Sequence, residues 1–195
     1  MTASPPLHII TRVPIPAALD PSAVLQALQA YEPLIKGNPY LHRFEQRPVD
    51  INEIASDQFF REDGSKLQAF VVVDRVPIVP GLGSWATKEV SIPCVFQCFE
   101  HGVRVRAHAQ AGVVVRSSYE VRRRGEVQGG PELLLGPGDE GDYELVEVAD
   151  VSCNALVKPF VKSRFVAGHL ELLQKIVDSV GEAAGTQVGA AENWQ

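Results

Sequence analysis

Sulfur is scarce in this chain. Cys94, Cys98 and Cys153 are its only cysteines, an odd set with no Cys-x-x-Cys or metal-ligand spacing, which gives neither a disulfide framework nor a metal site. On a common strand Cys94 and Cys98 would face one side roughly 13 Å apart, at about 3.3 Å of rise per residue, too far for a bond between them. Long apolar runs are missing too. No segment approaches the ~18 residues of a spanning helix, and the N-terminus shows no basic region leading into an apolar stretch. A reducing, cytoplasmic setting is the expectation. Positive charge is also thin, with 18 Lys and Arg against 24 Asp and Glu and no basic cluster longer than Arg122-Arg123-Arg124, so nucleic acid is not an expected partner. The familiar catalytic signatures are absent as well. Gly81-Leu82-Gly83 lacks the third glycine and the following helix of a phosphate cradle, and neither Gly-x-Ser-x-Gly nor His-Glu-x-x-His occurs. No cofactor is implied.

What the chain has instead is alternation. From Trp85 to Arg122, interrupted at Glu100-His101-Gly102, the pattern reads as a long hairpin. In its second arm Val103, Val105, Ala107, Ala109, Ala111, Val113 and Val115 alternate with Arg104, Arg106, His108 and Gln110. Gly112 marks a bend or bulge where the pattern lapses. Further strands are read at Leu7–Ile15, where Pro14 and Pro16 suit a sheet edge, and at Tyr40–Arg47, Lys66–Val79 and Tyr143–Cys153. Residues 49–60 read as a loop or short helical turn, and Gly125–Gly141 as a Gly-, Pro- and acid-rich loop. Within that loop Leu133-Leu134-Leu135 reads as a surface strand or a flap over a pocket.

Asp20 caps a helix with Pro21 in its first position, Val24, Leu25, Leu28 and Tyr31 at helical spacing and Pro33 near its end. The segment Ala155–Val180, capped by Asn154, carries Leu156, Phe160, Val161, Phe165, Leu172 and Ile176 at helical spacing. A sheet with one apolar face needs a cover, and this helix is the obvious one, so a pocket between the two follows. One domain over residues 1–180 is expected, with a small, polar tail at 181–195 expected to be disordered.

The order of strand, helical segment, antiparallel strands and long C-terminal helix resembles the helix-grip fold of the START-like superfamily, which includes polyketide cyclases and lipid-transfer domains. More narrowly, His8-Ile9-Ile10-Thr11-Arg12-Val13-Pro14, Asn38-Pro39-Tyr40, Asp74-Arg75-Val76-Pro77-Ile78-Val79-Pro80-Gly81 and Trp85-Ala86-Thr87-Lys88-Glu89-Val90 are similar to segments of an uncharacterised family of small fungal proteins assigned to that superfamily. The resemblance implies an α+β fold with a curved antiparallel sheet wrapped around the C-terminal helix. It carries no catalytic motif, and the superfamily spans enzymes and passive carriers.

Candidate site residues therefore come from the pattern alone. Asp74 and Arg75 interrupt an apolar run and face opposite ways on a strand. An inward Asp74 would be desolvated into a usable acid or base; the alternatives are an ion pair with an arginine across the sheet, or an Asp74-Arg75 pair that marks where the strand leaves the core. His108 lies on the polar side of the long strand, facing water or a polar patch inside the cavity. His169 sits beside the apolar stripe of the terminal helix, either as a proton-transfer group or as a boundary histidine with a structural partner. Phe165, Leu172, Tyr119 and Tyr40 are candidate ligand contacts. Glu89 and Glu147 could also hydrogen-bond a ligand, though their spacing does not select them.

The functional expectation is a protein that binds a hydrophobic small molecule. One version is a cofactor-independent cyclase, isomerase or dehydratase acting on a polyketide- or terpenoid-like metabolite, with His169, Asp74 and His108 as its catalytic candidates. The other is a non-catalytic carrier of a lipid, sterol or metabolite. A homodimer is left open.

Overall fold

In the computed structural model, which describes residues 5–55, 57–77, 87–131 and 140–192, a curved antiparallel sheet of seven strands grips a long C-terminal helix. The strands are β1 (Leu7–Pro16), β2 (Leu41–Arg47), β3 (Leu67–Pro77), β4 (Thr87–Phe99), β5 (Gly102–His108), β6 (Val114–Arg123) and β7 (Glu140–Ser152). Their spatial order is β1-β7-β6-β5-β4-β3-β2, so β2 to β7 form a meander and β1 returns to pair with β7. The sequence neighbours β1 and β2 thus sit at opposite edges. Two helices between them, α1 (Pro21–Gln29) and α2 (Glu32–Lys36), bridge the gap. A short α3 (Ile51–Ile54) follows β2, and α4 (Lys158–Glu192) closes the fold.

Local chemistry explains several boundaries. Asp20 accepts the Ser22 N–H at 2.8 Å, and Pro21 occupies the first turn of α1, where its missing N–H costs nothing. Pro33 begins α2 instead of ending α1. The break between the helices falls at Tyr31, a buried residue with φ of 61°, and Pro33 then fits the first turn of the next helix. Pro93 stands in β4, which is paired on both sides only from Cys94 onward; between Thr87 and Pro93 its one partner is β3. A proline is tolerated there because the strand has a free edge.

The expected second arm of the long hairpin is two strands. β5 ends at His108, a turn of 3-10 helix spans Gln110–Gly112, and β6 runs back antiparallel with His108 opposite Val114. Gly112, at φ of 72°, supplies the left-handed residue that this reversal needs. The apolar stripe of the terminal helix is also corrected. Phe165, Leu172, Leu173, Ile176 and Val177 are buried, whereas Leu156 and Phe160 stand in solvent. Leu156 belongs to a preceding 3-10 turn, Ala155–Val157, in which Asn154 accepts the Leu156 N–H at 3.0 Å. The tighter winding of that turn rotates its side chains out of phase with α4. The helix itself continues past Val180 to Glu192. Trp85, the end of the third strand at Ile78-Val79, and Leu133-Leu134-Leu135 lie outside the described residues.

The interior has two unequal halves. Beneath α1 it is filled: Val24 and Leu28 of the helix meet Val13, Val103, Leu145, Leu173 and Ile176, each almost wholly buried. Tyr31, Phe70 and Phe96 stack there edge to face and tilted, with ring centroids 5.3–6.5 Å apart. Toward the other end of the sheet the side chains part.

Candidate functional site

Beyond Leu34, Ile35 and Phe96 lies a cavity of about 340 Å3 between the sheet and the first turns of α4. Its wall is mostly apolar, including Val72, Ile92, Val105, Val115, Phe165 and Leu172. Asp74, Ser117, Tyr119 and His169 are among the polar side chains that break that wall, with Asn38, Tyr40 and Arg164. Strand alternation puts Asp74, Ser117 and Tyr119 there, and α4 carries His169.

On β7 the inward register is Leu145, Glu147, Ala149, Val151, and all four are buried. Glu147 therefore brings a carboxylate wholly into the interior, where burial is tolerable only with partners. It has four. Thr11 Oγ1 of β1 donates at 3.2 Å, Ser117 Oγ of β6 at 2.7 Å, and His169 Nδ1 of α4 meets the two carboxylate oxygens at 2.7 and 2.9 Å. The Tyr119 hydroxyl is the fourth, close enough to help lower the carboxyl's pKa, and lies 3.4 Å from His169 Nδ1. Burial alone would raise the Glu147 pKa; the charge of His169 and the hydrogen bonds from His169, Ser117 and Tyr119 outweigh it and hold the carboxyl below its ordinary value. The same surroundings act oppositely on Tyr119, whose phenol is pushed well above its ordinary value by burial and then by the neighbouring carboxylate. It stays a neutral donor.

His169 is positioned from three sides. Phe165, one turn earlier on α4, stacks its ring on the imidazole at a centroid distance of 3.6 Å and an angle of 17°. Glu147 fixes Nδ1. Beside it, Gly168 lets the loop before β2 approach, since a Cβ there would stand 3.3 Å from Tyr40 Cε2. With Nδ1 taken, Nε2 is the ring nitrogen left to meet a molecule in the cavity.

Asp74 reaches the same cavity from the opposite strand. Phe70, Val72 and Asp74 share the inward register of β3, and Asp74 is buried. One expected alternative, an arginine partner, is not what holds it. Asn38 Nδ2 donates to Asp74 Oδ1 at 2.8 Å, while Asn38 Oδ1 accepts the Tyr40 N–H at 3.0 Å and so fixes which way the amide points. Burial raises the Asp74 pKa above its ordinary value, and neither the Asn38 hydrogen bond nor the charge of His169 cancels that rise. Its neighbour Arg75 faces outward and joins Glu89 at 3.2 Å and His42 at 3.1 Å.

Of the residues picked from sequence, His169, Asp74, Tyr119, Tyr40, Phe165 and Leu172 all line this one cavity. His108 does not. Ala107 faces the cavity, so its strand neighbour His108 projects from the outer face, where it is exposed. Glu89 is also on the surface, paired with Arg43 and Arg75. Glu147 was within reach as a strand residue but not singled out as the partner of His169; its signal is a lone carboxylate in the apolar register between Leu145 and Ala149. Asn38 and Ser117 carry no comparable signal. Cys94 is a buried thiol whose pKa is pushed up to about 12 by desolvation, which makes it a small hydrophobe and not a nucleophile.

A curved antiparallel sheet gripping a C-terminal helix over an internal cavity defines the helix-grip class. The chain belongs to the family described as Domain of unknown function (DUF7053), which matches residues 7–182. No curated protein matches the sequence. Among solved structures it is similar to TTHA0849 from Thermus thermophilus, with a TM-score of 0.53 and 14% identity over 92% of this chain and 99% of that one. It is also similar to the di-domain ARO/CYC StfQ from the steffimycin biosynthetic pathway, with a TM-score of 0.57 and 10% identity. That match covers 92% of this chain and 52% of StfQ, so the chain spans about half of that protein's length. At these identities the likeness is one of fold. Among the described residues no helix is long and apolar enough to cross a membrane.

Proposed function

We propose that this protein binds a hydrophobic small molecule in the cavity and moves protons on it without a cofactor, as a cyclase, isomerase or dehydratase of a polyketide- or terpenoid-like metabolite. The observation that carries the reading is two ionisable side chains, His169 held at Nδ1 by Glu147 and Asp74 held by Asn38, that reach one mostly apolar cavity. Such pairs divide acid and base roles between neighbours. In this reading His169, fixed at Nδ1 by the Glu147 carboxylate, gives a proton from Nε2 to an oxygen of the bound molecule. Asp74, whose proton affinity is raised by burial, takes a proton from carbon. The electron pair of the broken C–H bond then forms the new bond: to carbon in a cyclisation, or as a double bond in an isomerisation or a loss of water. Tyr119 and Ser117 hold Glu147, and Phe165, Leu172 and Tyr40 shape the apolar body of the site. Holding one reactive conformer is itself worth up to ~7–11 kcal/mol of barrier.

The second reading is a carrier. It is favoured by the mutual satisfaction of the polar groups: Glu147 has its partners within the protein, as a purely structural network would. A turnover assay on the molecule that co-purifies, run with His169→Gln and Asp74→Asn, separates the two. Conversion lost with binding retained supports the enzyme; equal conversion in all three proteins rejects the proposed roles.

A further inference from the structure

We infer that the start of α4 is a docking surface for an anionic lipid membrane, placed at the rim of the cavity. The most exposed large hydrophobic side chains among the described residues are Leu156, Ile51 and Phe160, at 90%, 72% and 60% exposure. Leu156 and Phe160 sit about one turn apart at one end of the molecule, and large apolar groups held in water at one place mark a contact surface. Phe160, Val161 and Arg164 also line the cavity, so the patch and the cavity opening are continuous.

Charge selects the partner. From Ala155 to Leu170 the chain carries Lys158, Lys162 and Arg164 and no acidic residue, in a protein whose formal net charge is -6. Lys158 Nζ donates to the Pro5 carbonyl, while Lys162 and Arg164 stand exposed on the first turns of α4. Arg164 stacks its guanidinium 5.6 Å from the Phe160 ring centroid, which keeps cation and aromatic together at the rim. Protruding apolar side chains ringed by cations fit the boundary between headgroups and acyl chains, with the cations in the layer of negative headgroups. The contact would set the cavity opening against a reservoir of apolar molecules. It does not depend on whether the cavity performs chemistry.

Vesicle flotation of the full chain tests this, with phosphatidylcholine vesicles and with vesicles rich in phosphatidylserine, at low and high salt. The expected result is recovery with the anionic vesicles alone, lost at high salt. Lys162→Glu/Arg164→Glu should lower the partition coefficient by about tenfold or more, and Leu156→Ser/Phe160→Ser should lower it comparably. Unchanged melting temperatures of both variants would show that the fold is intact, and uptake of an apolar fluorescent probe by the wild type reports on the cavity itself. Absence of flotation by the wild type overturns the inference, even if the patch retains an acidic protein in a pull-down. So does equal recovery on both vesicle types, or recovery indifferent to both double substitutions. Uptake of the probe without flotation would remove the docking surface and leave the cavity reading standing.

Discussion

The two faces of the same sheet treat buried charge differently. On the outer face Arg106, only 3% exposed in its side chain, meets Asp57 at 3.0 Å and Glu53 at 3.1 Å, and Arg116 reaches Asp57 at 3.0 Å. Arg106 also lies over the Phe60 ring at 5.4 Å. Burial would raise the Asp57 pKa, yet hydrogen bonds from Arg116 and Arg106 outweigh it and leave the carboxyl below its ordinary value. Here cations and anions answer one another, and the effect is mechanical: the segment from α3 to Phe60 is clamped onto the strands. On the inner face the carboxylates have no arginine partner. Glu147 is held by hydroxyls and one histidine, Asp74 by an amide, and both lie at an apolar hollow. Charge met by opposite charge secures a fold, whereas carboxylates held by neutral donors and a histidine line a hollow that a guest can enter.

The largest effect expected from breaking this contrast is on turnover. Loss of the acid–base group in His169→Gln or Asp74→Asn should cut turnover about 10²–10⁴-fold with the bound molecule retained, whereas Asp57→Asn should leave turnover essentially unchanged and lower stability. Next in size is the stability cost of stranding one partner. His169→Leu, which leaves Glu147 buried, should cost ~3 kcal/mol in urea unfolding, with the double change Glu147→Leu/His169→Leu costing clearly less than the sum; Arg106→Leu should cost less, because Arg116 stays on Asp57 at 3.0 Å and Arg47 on Glu53 at 2.7 Å.

The pH dependence sharpens the comparison further, because the two inner carboxyls carry opposite signs. The Glu147 pKa is lowered in the fold, so its stabilisation is complete above the unfolded value near 4.5 and disappears as pH falls through the lowered one. The Asp74 pKa is raised, so its penalty is absent below the unfolded value near 3.8 and grows as pH rises through the raised one. Asp74→Asn should therefore raise the unfolding midpoint at neutral pH and leave it unchanged in strong acid, while Glu147→Gln should lower the neutral midpoint and flatten the acid limb. The smallest effect is expected at His108, where replacement by alanine should change stability by no more than about 0.5 kcal/mol and turnover not at all.

The difference between the faces also decides how much was legible in the sequence. Period-two alternation correctly separates inward Val103, Val105 and Ala107 from outward Arg104, Arg106 and His108, and the same rule, applied to Asp74 and Arg75, places one inside. It cannot tell that the outer face is itself covered at Arg106, because the covering loop lies some 50 positions earlier in the chain. Alternation also runs unbroken through Ala107, Ala109 and Ala111, across a reversal that only Gly112 betrays, so β5 and β6 merge into one arm. The stripe of α4 is legible from Val161 onward; Leu156 falls in the 3-10 turn ahead of the helix, and Phe160 lies on the exposed side of its first turn. His169 was legible as a histidine beside an apolar stripe. Its partner Glu147 is far from it in sequence, and only pairing of β7 with β1 and β6 brings Thr11 and Ser117 to the same carboxylate.

The chemistry assigned to the inner face is tested most directly by transfer of a trapped ligand. The small molecule extracted from purified Asp74→Asn protein is offered to wild type and to His169→Gln, and the product is followed by mass and absorption spectrum. Conversion by the wild type to an isomer, or to a species lighter by one water, with none by the variant, is the expected result. A wild type that binds the extracted molecule and returns it unchanged would contradict it and leave a carrier.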